Sequence, residues 1–381
     1  MRETIKQLQE RWTPELTMRT LEDDEPRSPF GRLPSGLWDF RGFGYYDVIP
    51  ECEARGWPTS KEVIENFLDR ACFESIESFR FSECDFTHAR FLRADILRCE
   101  FDRCLFASCD LRLCSLVETR FERCRFRGAN FRRAFIDVGR KHHGTTTFTD
   151  CEFVRCNFAE TSFFSPLFRR VAFANCRSAI RFEASSFEDV SFSGKFGSLW
   201  FSNGWPFASD RAEHGAPREN PMRNVSFADA EVNCFDFTHR CPLSRVVPPR
   251  KGRYILVERF RKCLLEIRAA ARKEPDDVRQ ELQWFFDLYF CRAGQKGWWH
   301  SEYTTQEQYL ISLDDIDERY LPRTAAILTS ILLRYRIEPV ATDPAPPRLE
   351  TPHAECAEEI HAESAEPAEP EPHAKSAERA E

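Results

Sequence analysis

The sequence predicts a mainly β chain that winds as a four-sided solenoid, with an α-helical domain and an acidic tail after it. Between residues 81 and 136 a large apolar side chain recurs at every fifth position. These are Phe81, Phe86, Phe91, Ile96, Phe101, Phe106, Leu111, Leu116, Phe121, Phe126, Phe131 and Ile136. Two residues before each, from Phe86 on, stands a smaller one: Cys84, Ala89, Ala94, Cys99, Cys104, Cys109, Cys114, Thr119, Cys124, Ala129 and Ala134. Beyond residue 250 the apolar spacing changes to three and four, the signature of amphipathic helices.

Helices repeat at 3.6 residues and strands at 2, so neither produces a period of five. A backbone that turns a corner every five residues does. Each wall then points one large and one small side chain inward, and the other three face water. Every twentieth residue matches in kind. Phe81, Phe101 and Phe121 form one series, Phe86, Phe106 and Phe126 a second, and Ile76, Ile96, Leu116 and Ile136 a third. A repeat of twenty means four walls per coil. Outward residues agree in part: Arg90 falls beside Asp110 and Glu100 beside Arg120, but Asp102 falls beside Glu122 and Arg112 beside Arg132. Coils in such a stack rise by about 4.8 Å. Each buried Phe contributes about 1.5–3 kcal/mol, and both ends need caps.

The pentapeptides "CDFTH", "ARFLR", "ADILR", "CEFDR", "CLFAS", "CDLRL", "CRFRG" and "ANFRR" resemble the pentapeptide-repeat family. The resemblance implies a right-handed quadrilateral β-helix with four pentapeptides per coil. Many members favour Ala and Leu where this chain has Cys and Phe, which implies a fatter inner column on the same architecture.

Along the chain, residues 1–72 read as an N-terminal cap. Within them "GLWDFRGF" (36–43) reads as a short strand and a preliminary rung, and "TSKEVIENFLDRAC" as a helix opened by a capping box, Thr59 and Glu62. Val63, Phe67 and Cys72 of that helix face the first coil. The β-helix spans 73–243, with insertions near 137–147 and 196–224. A second block runs Phe148, Phe153, Phe158, Phe163, Phe168 and Phe173, then Phe182, Phe187 and Phe192, and Phe227, Val232 and Phe237 resume it. The helical domain spans 250–340. Its first helix carries Val257, Phe260, Leu264, Ile267 and Ala271, and its second Val278, Leu282, Phe285 and Tyr289. "TTQEQYLISL" opens on a further capping box, Thr304 and Glu307. The last helix starts at Pro322 with Ala325, Leu328, Leu332 and Tyr335 inward. Residues 341–381, rich in Ala, Glu, Pro and His, form a disordered tail.

Of 381 residues, 35 are Phe and 16 are Cys, and the net charge is -8. The tail carries 11 acidic and 3 basic residues, so the other 340 balance at 51 of each sign. Global charge therefore calls for neither a nucleic-acid nor a membrane partner. No run of about 18 apolar residues is present, and the charged start "MRETIKQLQERW" is unlike a signal peptide. The chain is expected in the cytoplasm, with its thiols reduced and serving as small apolar core groups.

Candidate sites are few. Gathering four ladder sulfurs at about 2.3 Å around one zinc would collapse the coil, so no metal is expected. His142 and His143 sit in the first insertion without an identifiable partner. Arg120, Arg123, Arg125, Arg127, Arg132 and Arg133 open a basic stretch, 120–141, suited to phosphate or simply offset by acids on the next coil. "SLWFSNGWPF" and "KGWWHSEY" set Trp200, Trp205, Trp298 and Trp299 in loop-like surroundings, where Trp anchors interfaces or packs an insertion. The candidate partner-binding residues are thus Trp200, Trp205, Trp298, Trp299, Arg123, Arg127 and Arg133. No nucleophile elbow, phosphate loop or HExxH is present, so no catalytic or cofactor residue is assigned.

The expected function is a non-catalytic protein–protein interaction or scaffold protein, with an unspecified partner and a homodimer contact through the helical domain. The family resemblance implies an alternative, a DNA mimic acting on DNA gyrase or topoisomerase, of the quinolone-resistance type. That role needs an acidic rod, whereas residues 73–200 hold 20 basic and 17 acidic side chains. Nucleic-acid binding through 120–141 and an enzyme in the helical domain or the 196–224 insertion are weaker alternatives.

Overall fold

A computed structural model describes residues 3–44, 76–137, 145–205, 218–238, 240–290 and 307–338. The central part is a parallel β-solenoid, and its register is the one that a repeat of twenty demands. Phe81 pairs with Phe101, and Phe101 with Phe121. Ile76, Ile96, Leu116 and Ile136 pair in the same way on another wall. We label the walls A (Phe81, Phe101, Phe121), B (Phe86, Phe106, Phe126), C (Phe91, Leu111, Phe131) and D (Ile76, Ile96, Leu116, Ile136).

Phenylalanine suits this lining for a geometric reason. Rings in one column lie nearly parallel: Phe81 on Phe101 at 5.1 Å and 10°, Phe101 on Phe121 at 5.0 Å and 6°. Rings of adjacent columns meet edge to face, as Phe101 and Phe106 do at 5.4 Å and 68°. Both arrangements suit the ring quadrupole, so each ring gains from partners above, below and beside it.

The corners are set by backbone conformation. The second residue after each central one takes a left-handed φ: 56° at Glu83, 60° at Arg93, 51° at Arg103 and 58° at Leu113. Such a conformation costs a side-chain-bearing residue roughly 1–2 kcal/mol. Ladder bonds hold it there. Arg93 N–H donates to the Arg112 carbonyl at 3.0 Å and Arg103 N–H to that of Glu122 at 2.9 Å, one coil on.

The small slots do more than leave room. Cys104 Sγ donates to the Phe81 carbonyl at 3.3 Å, Cys124 to Phe101 at 3.3 Å and Cys151 to Phe121 at 3.4 Å. Thr119 and Thr161 hydroxyls make the same bond to Ile96 and Phe131 at 3.0 and 2.7 Å. Each donor reaches the central carbonyl of the coil below.

Several expectations change. The interval on wall A grows from twenty residues at Phe101–Phe121 to twenty-seven at Phe121–Phe148. Coil structure nevertheless includes Phe135–Asp137 and resumes at Thr145, with Thr146 filling a small slot, so the insertion is narrower than 137–147. Residues 196–202 are not an insertion either. They end the long strand Ser186–Ser202, with Phe201 stacked between Phe182 at 5.3 Å and Phe237 at 5.4 Å. These coils advance by nineteen residues, as in the Phe182–Phe201 pair, which hides them from a search for strict fives. Asn220 and Met222 are already buried. Only 206–217 of the expected second insertion falls outside the described residues.

At the N-terminal end, Trp38–Asp39 pairs in parallel with Cys84–Asp85, so "GLWDFRGF" supplies a rung. Helices α1 (Ile5–Glu10) and α2 (Pro14–Thr20) lie beside it, and Trp12 between them stacks on Phe40 at 5.6 Å. The expected helix at 59–72 lies outside the described residues.

The C-terminal region contains a sheet as well as helices. Tyr254–Glu258 pairs antiparallel with Gln308–Ser312 and with Arg336–Ile337. Helices α3 (Phe260–Ala271), α4 (Asp276–Phe290), α5 (Leu313–Arg319) and α6 (Pro322–Leu333) complete it. Val257 therefore belongs to a strand, and "QYLIS" is a strand rather than a helix start. Tyr335 lies past the end of α6. The apolar triplets Ile255–Val257 and Tyr309–Ile311 are too short for periodicity to separate strand from helix. Tyr309 seals the last coil, edge-on to Phe237 at 5.9 Å and stacked on Phe260 at 4.7 Å. Residues 339–381, with the expected tail, lie outside the described residues.

Candidate interaction surface

Inside the solenoid most thiols are held protonated by burial, while the contact with Cys156 lowers the pKa of Cys176. Burial pushes the Cys99 thiol up to about 11, and Cys104, Cys124 and Cys151 well above the ordinary thiol range. A thiol that does not ionise is neither a nucleophile nor a metal ligand. Among the described residues no three His, Cys, Asp or Glu are grouped to hold a metal ion. His142 and His143 lie outside those residues.

Chemistry available to a partner therefore sits on the outward positions of the walls. Five of the six arginines of 120–133, all but Arg125, are drawn into ion pairs. Arg120 meets Glu100 at 3.3 Å, Arg127 meets Glu152 at 3.9 Å and Arg133 meets Glu160 at 2.8 Å. Arg123 pairs with Asp102 and Glu122. This resolves the like-charge row that the twenty-residue repeat creates. Asp102 does stand beside Glu122, but the corner residues Arg103 and Arg123 reach across it, Arg103 to Asp102 at 3.2 Å and to Glu83 at 3.3 Å. Exposed pairs are individually worth about 0–1 kcal/mol. Their consequence here is that most of the positive charge on the described residues 120–133 is compensated.

Wall D differs in kind. Its outward positions carry Leu97, Val117, Phe135, Phe164 and Trp200 among Asp95, Ser115, Asp137, Ser162, Arg181 and Glu183. Phe135 is 42% exposed and its ring lies 5.4 Å from Phe164. Trp200 is not in a loop: it sits on the strand in register with Arg181 and Asp236, under the Arg181 guanidinium at 4.6 Å. Trp205 is buried, 6.4 Å from Phe164, and so serves packing. Trp298 and Trp299 lie outside the described residues. Phe135 and Phe164 escape a reading of inward periodicity because they flank Ile136 and Phe163, one position off the period. A second apolar residue beside a central one was the signal.

Two further polar clusters stand near the ends. Asp39 is buried between Arg11, whose guanidinium reaches it at 2.5 and 3.0 Å, and Arg41 at 2.9 Å. Burial raises its pKa, but the two guanidiniums outweigh that and hold it at about 2. At the other end a cavity of about 210 Å³ lies between the last coil and the C-terminal sheet. Arg240 and Arg259 line it with Glu258 and Glu307, so its charges cancel. Among the described residues no helix is long and apolar enough to cross a membrane.

Eight copies of the pentapeptide repeats match residues 99–136. No curated protein sequence matches the chain. Among solved structures, a trypsin-treated form of QnrB1, described as a plasmid-mediated fluoroquinolone resistance protein, is 16% identical with a TM-score of 0.28, covering 42% of this chain and 76% of its own. Full-length QnrB1 is 14% identical with a TM-score of 0.21, covering 46% of this chain and 82% of its own. HetL, a pentapeptide repeat protein involved in heterocyst differentiation regulation from the cyanobacterium Nostoc sp. strain PCC 7120, is 10% identical with a TM-score of 0.19, covering 51% and 99%. At these values the likenesses lend no argument about activity. Residues 99–136 are thus pentapeptide repeats by the family match, and the period of five and the coil register continue the same architecture on either side of them.

Proposed function

We propose that the protein is a non-catalytic binding scaffold that presents wall D of its solenoid to a protein partner. The observation that carries this reading is the contrast between walls. On wall A and at its corners the charges are spent on one another, Arg120 on Glu100 and Arg123 on Asp102. On wall D outward aromatics stand on three coils, Phe135 and Phe164 on adjacent ones and Trp200 beyond the coil that carries Arg181 and Glu183. Aromatic residues on a rigid sheet are efficient anchors, because little side-chain entropy is lost when they are covered. Ionisation-resistant thiols and a charge-balanced cavity support the non-catalytic part.

A homodimer through the C-terminal region belongs to the same reading, with exposed Trp284, Leu288 and Leu321 as its apolar patch. The gyrase-directed DNA mimic and phosphate binding at 120–141 have less support, since arginines and carboxylates alternate on the solenoid surface.

The test is affinity capture with the full chain from its native cells, followed by binding measurements on the purified partner. Trp200→Asp is expected to weaken that partner's binding at least tenfold while the circular dichroism spectrum stays unchanged. Equal binding by the variant removes wall D as the docking face. Inhibition of gyrase supercoiling at stoichiometric protein would replace the reading with the DNA-mimic one.

A further inference from the structure

Helix α3 begins with charges of the wrong sign for its own dipole. A helix favours carboxylates in its first turn and cations in its last. α3 has no acid in its first turn. It opens on Arg261 and Lys262, behind an N-cap, Arg259, whose side chain makes no capping bond. Arg268, Arg272 and Lys273 suit the last turn, but Arg261 and Lys262 lower the stability of the first.

The buried side of α3 is Phe260, Cys263, Leu264, Ile267 and Ala271. The opposite side carries Arg261, Lys262, Leu265, Arg268, Arg272 and Lys273, all exposed. No carboxylate shares that face. Glu266 and Glu274, the acids of residues 259–274, are drawn to α6 instead. Glu266 accepts from Arg334 at 2.8 Å and from the Tyr335 hydroxyl, and Glu274 accepts from Arg323 at 2.7 Å. Among the described residues Arg261, Lys262, Arg272 and Lys273 form no ion pair, and Arg268 lies over the Phe286 ring at 5.2 Å. Exposed arginines of the solenoid, such as Arg120, Arg133 and Arg170, each have a carboxylate within reach.

An anionic partner supplies the missing charge, and the surroundings of α3 restrict its kind. Arg261 and Arg272 lie about 16 Å apart along the helix axis. α4 packs alongside and carries Asp277 and Asp287. A nucleic-acid duplex or a lipid surface laid over the cations also brings phosphates toward those carboxylates. A single peptide segment is no wider than α3 and avoids them. Leu265, 45% exposed in the middle of the cations, calls for an apolar group on the partner. An apolar centre inside a charged rim is the usual anatomy of a protein interface.

We propose that the exposed face of α3, from Arg261 to Lys273, docks an acidic segment of a protein partner, with Leu265 against an apolar residue of that segment. This goes beyond the wall D reading and does not depend on it.

Fluorescence anisotropy with the full chain tests it. The probe is a labelled helical peptide with Glu on one face around a single Leu; labelled duplex DNA and phosphatidylserine vesicles are the comparators. The expected result is peptide binding that weakens with added salt, as screened charges do. Arg272→Glu should weaken it about fivefold or more, and Leu265→Ser, which leaves the charge alone, about threefold. Lys195→Glu makes the same charge change on the solenoid and should have no effect. Arg261→Glu supplies the acid that the first turn lacks, so binding should fall while the melting temperature holds or rises. Cations kept for the fold alone would give the opposite pattern. Trp200→Asp should leave peptide binding intact, which separates this face from wall D. Undetectable peptide binding overturns the proposal, as does binding retained in both Arg261→Glu and Arg272→Glu or lost equally in Lys195→Glu. Tighter binding of the duplex or the vesicles that Arg272→Glu abolishes assigns the face to phosphate, and the proposal fails.

Discussion

The Thr119 hydroxyl donates to the Ile96 carbonyl at 3.0 Å, and one coil below it Cys99 Sγ donates to the Ile76 carbonyl at 3.2 Å. Threonine is thus no irregularity in a cysteine column: both supply a small body and one donor. Thr119→Cys should therefore change stability by less than about 1 kcal/mol. Thr119→Val keeps the shape but leaves the Ile96 carbonyl without that donor, at a cost of about 1–2 kcal/mol. Urea denaturation of the two variants separates these outcomes. Equal stability would mean that the slot selects for size alone.

Phe126 stacks on Phe106 at 4.7 Å and on Phe153 at 4.6 Å, and is fully buried. Phe126→Ala should cost about 3–5 kcal/mol, the transfer and cavity terms together. Because each coil touches only its neighbours, the loss falls at one interface of a linear stack. We expect the denaturation curve to broaden or divide, with the coils before and after residue 126 losing cooperativity. Phe135→Ala, on an outward position, should cost under about 1 kcal/mol in the same measurement.

The solenoid was legible because its signal is written at every fifth residue and checked at every twentieth. Phe81, Phe101 and Phe121 announce both the wall and the column. Legibility failed where the count changed. Phe182 and Phe201 stand nineteen apart, so Phe196 and Leu199 looked like the start of a loop although both are buried. It failed again where the outward face mattered. A search for inward periodicity discards Phe135 and Phe164, the residues that give wall D its character. Ion pairing across diagonals, such as Arg103 with Asp102 and Glu83, depends on corner geometry that a linear register does not convey. The small sheet at Tyr254–Glu258 rests on pairing with residues some fifty positions away, which local pattern does not reveal.

Gly128 occupies a corner with φ 61°, a conformation that side-chain-bearing residues such as Arg123 and Arg133 take at neighbouring corners, and an added Cβ would have only Ser108 Oγ nearby, at 3.9 Å. Gly128→Ala should then cost no more than the left-handed conformation itself, about 1–2 kcal/mol. Gly42, at φ 73°, is a different case. A methyl there would run into the Leu8 carbonyl of the N-terminal cap. Gly42→Ala is expected to displace α1 and to lower the melting temperature well beyond the Gly128→Ala change. Similar melting temperatures for the two would show that the cap does not brace the first coil.

Asp39 gives the fold a defined acid limit. Its carboxyl is buried, which alone would raise its pKa, yet Arg41 and Arg11 hold it at about 2 against an ordinary 3.8. A folded-state value below the unfolded one means stability that is complete above pH 3.8 and lost as the pH falls toward 2. At 1.36 kcal/mol per unit the contribution is about 2 kcal/mol. Asp85, its register partner, behaves oppositely: burial raises its pKa, against the hydrogen bonds from Thr87 that lower it. Its stabilising effect belongs to the protonated form and is lost as the pH rises through 3.8 and above. Asp39→Asn should therefore lower the melting temperature at pH 7, with the gap to the unaltered protein closing between pH 4 and 2. Asp85→Asn, which keeps an acceptor for Thr87 N–H, should hold or raise the melting temperature at pH 7 and lose that advantage in acid. A gap for Asp39→Asn that stays constant across this range would show that the Arg11–Asp39–Arg41 cluster acts through shape rather than charge.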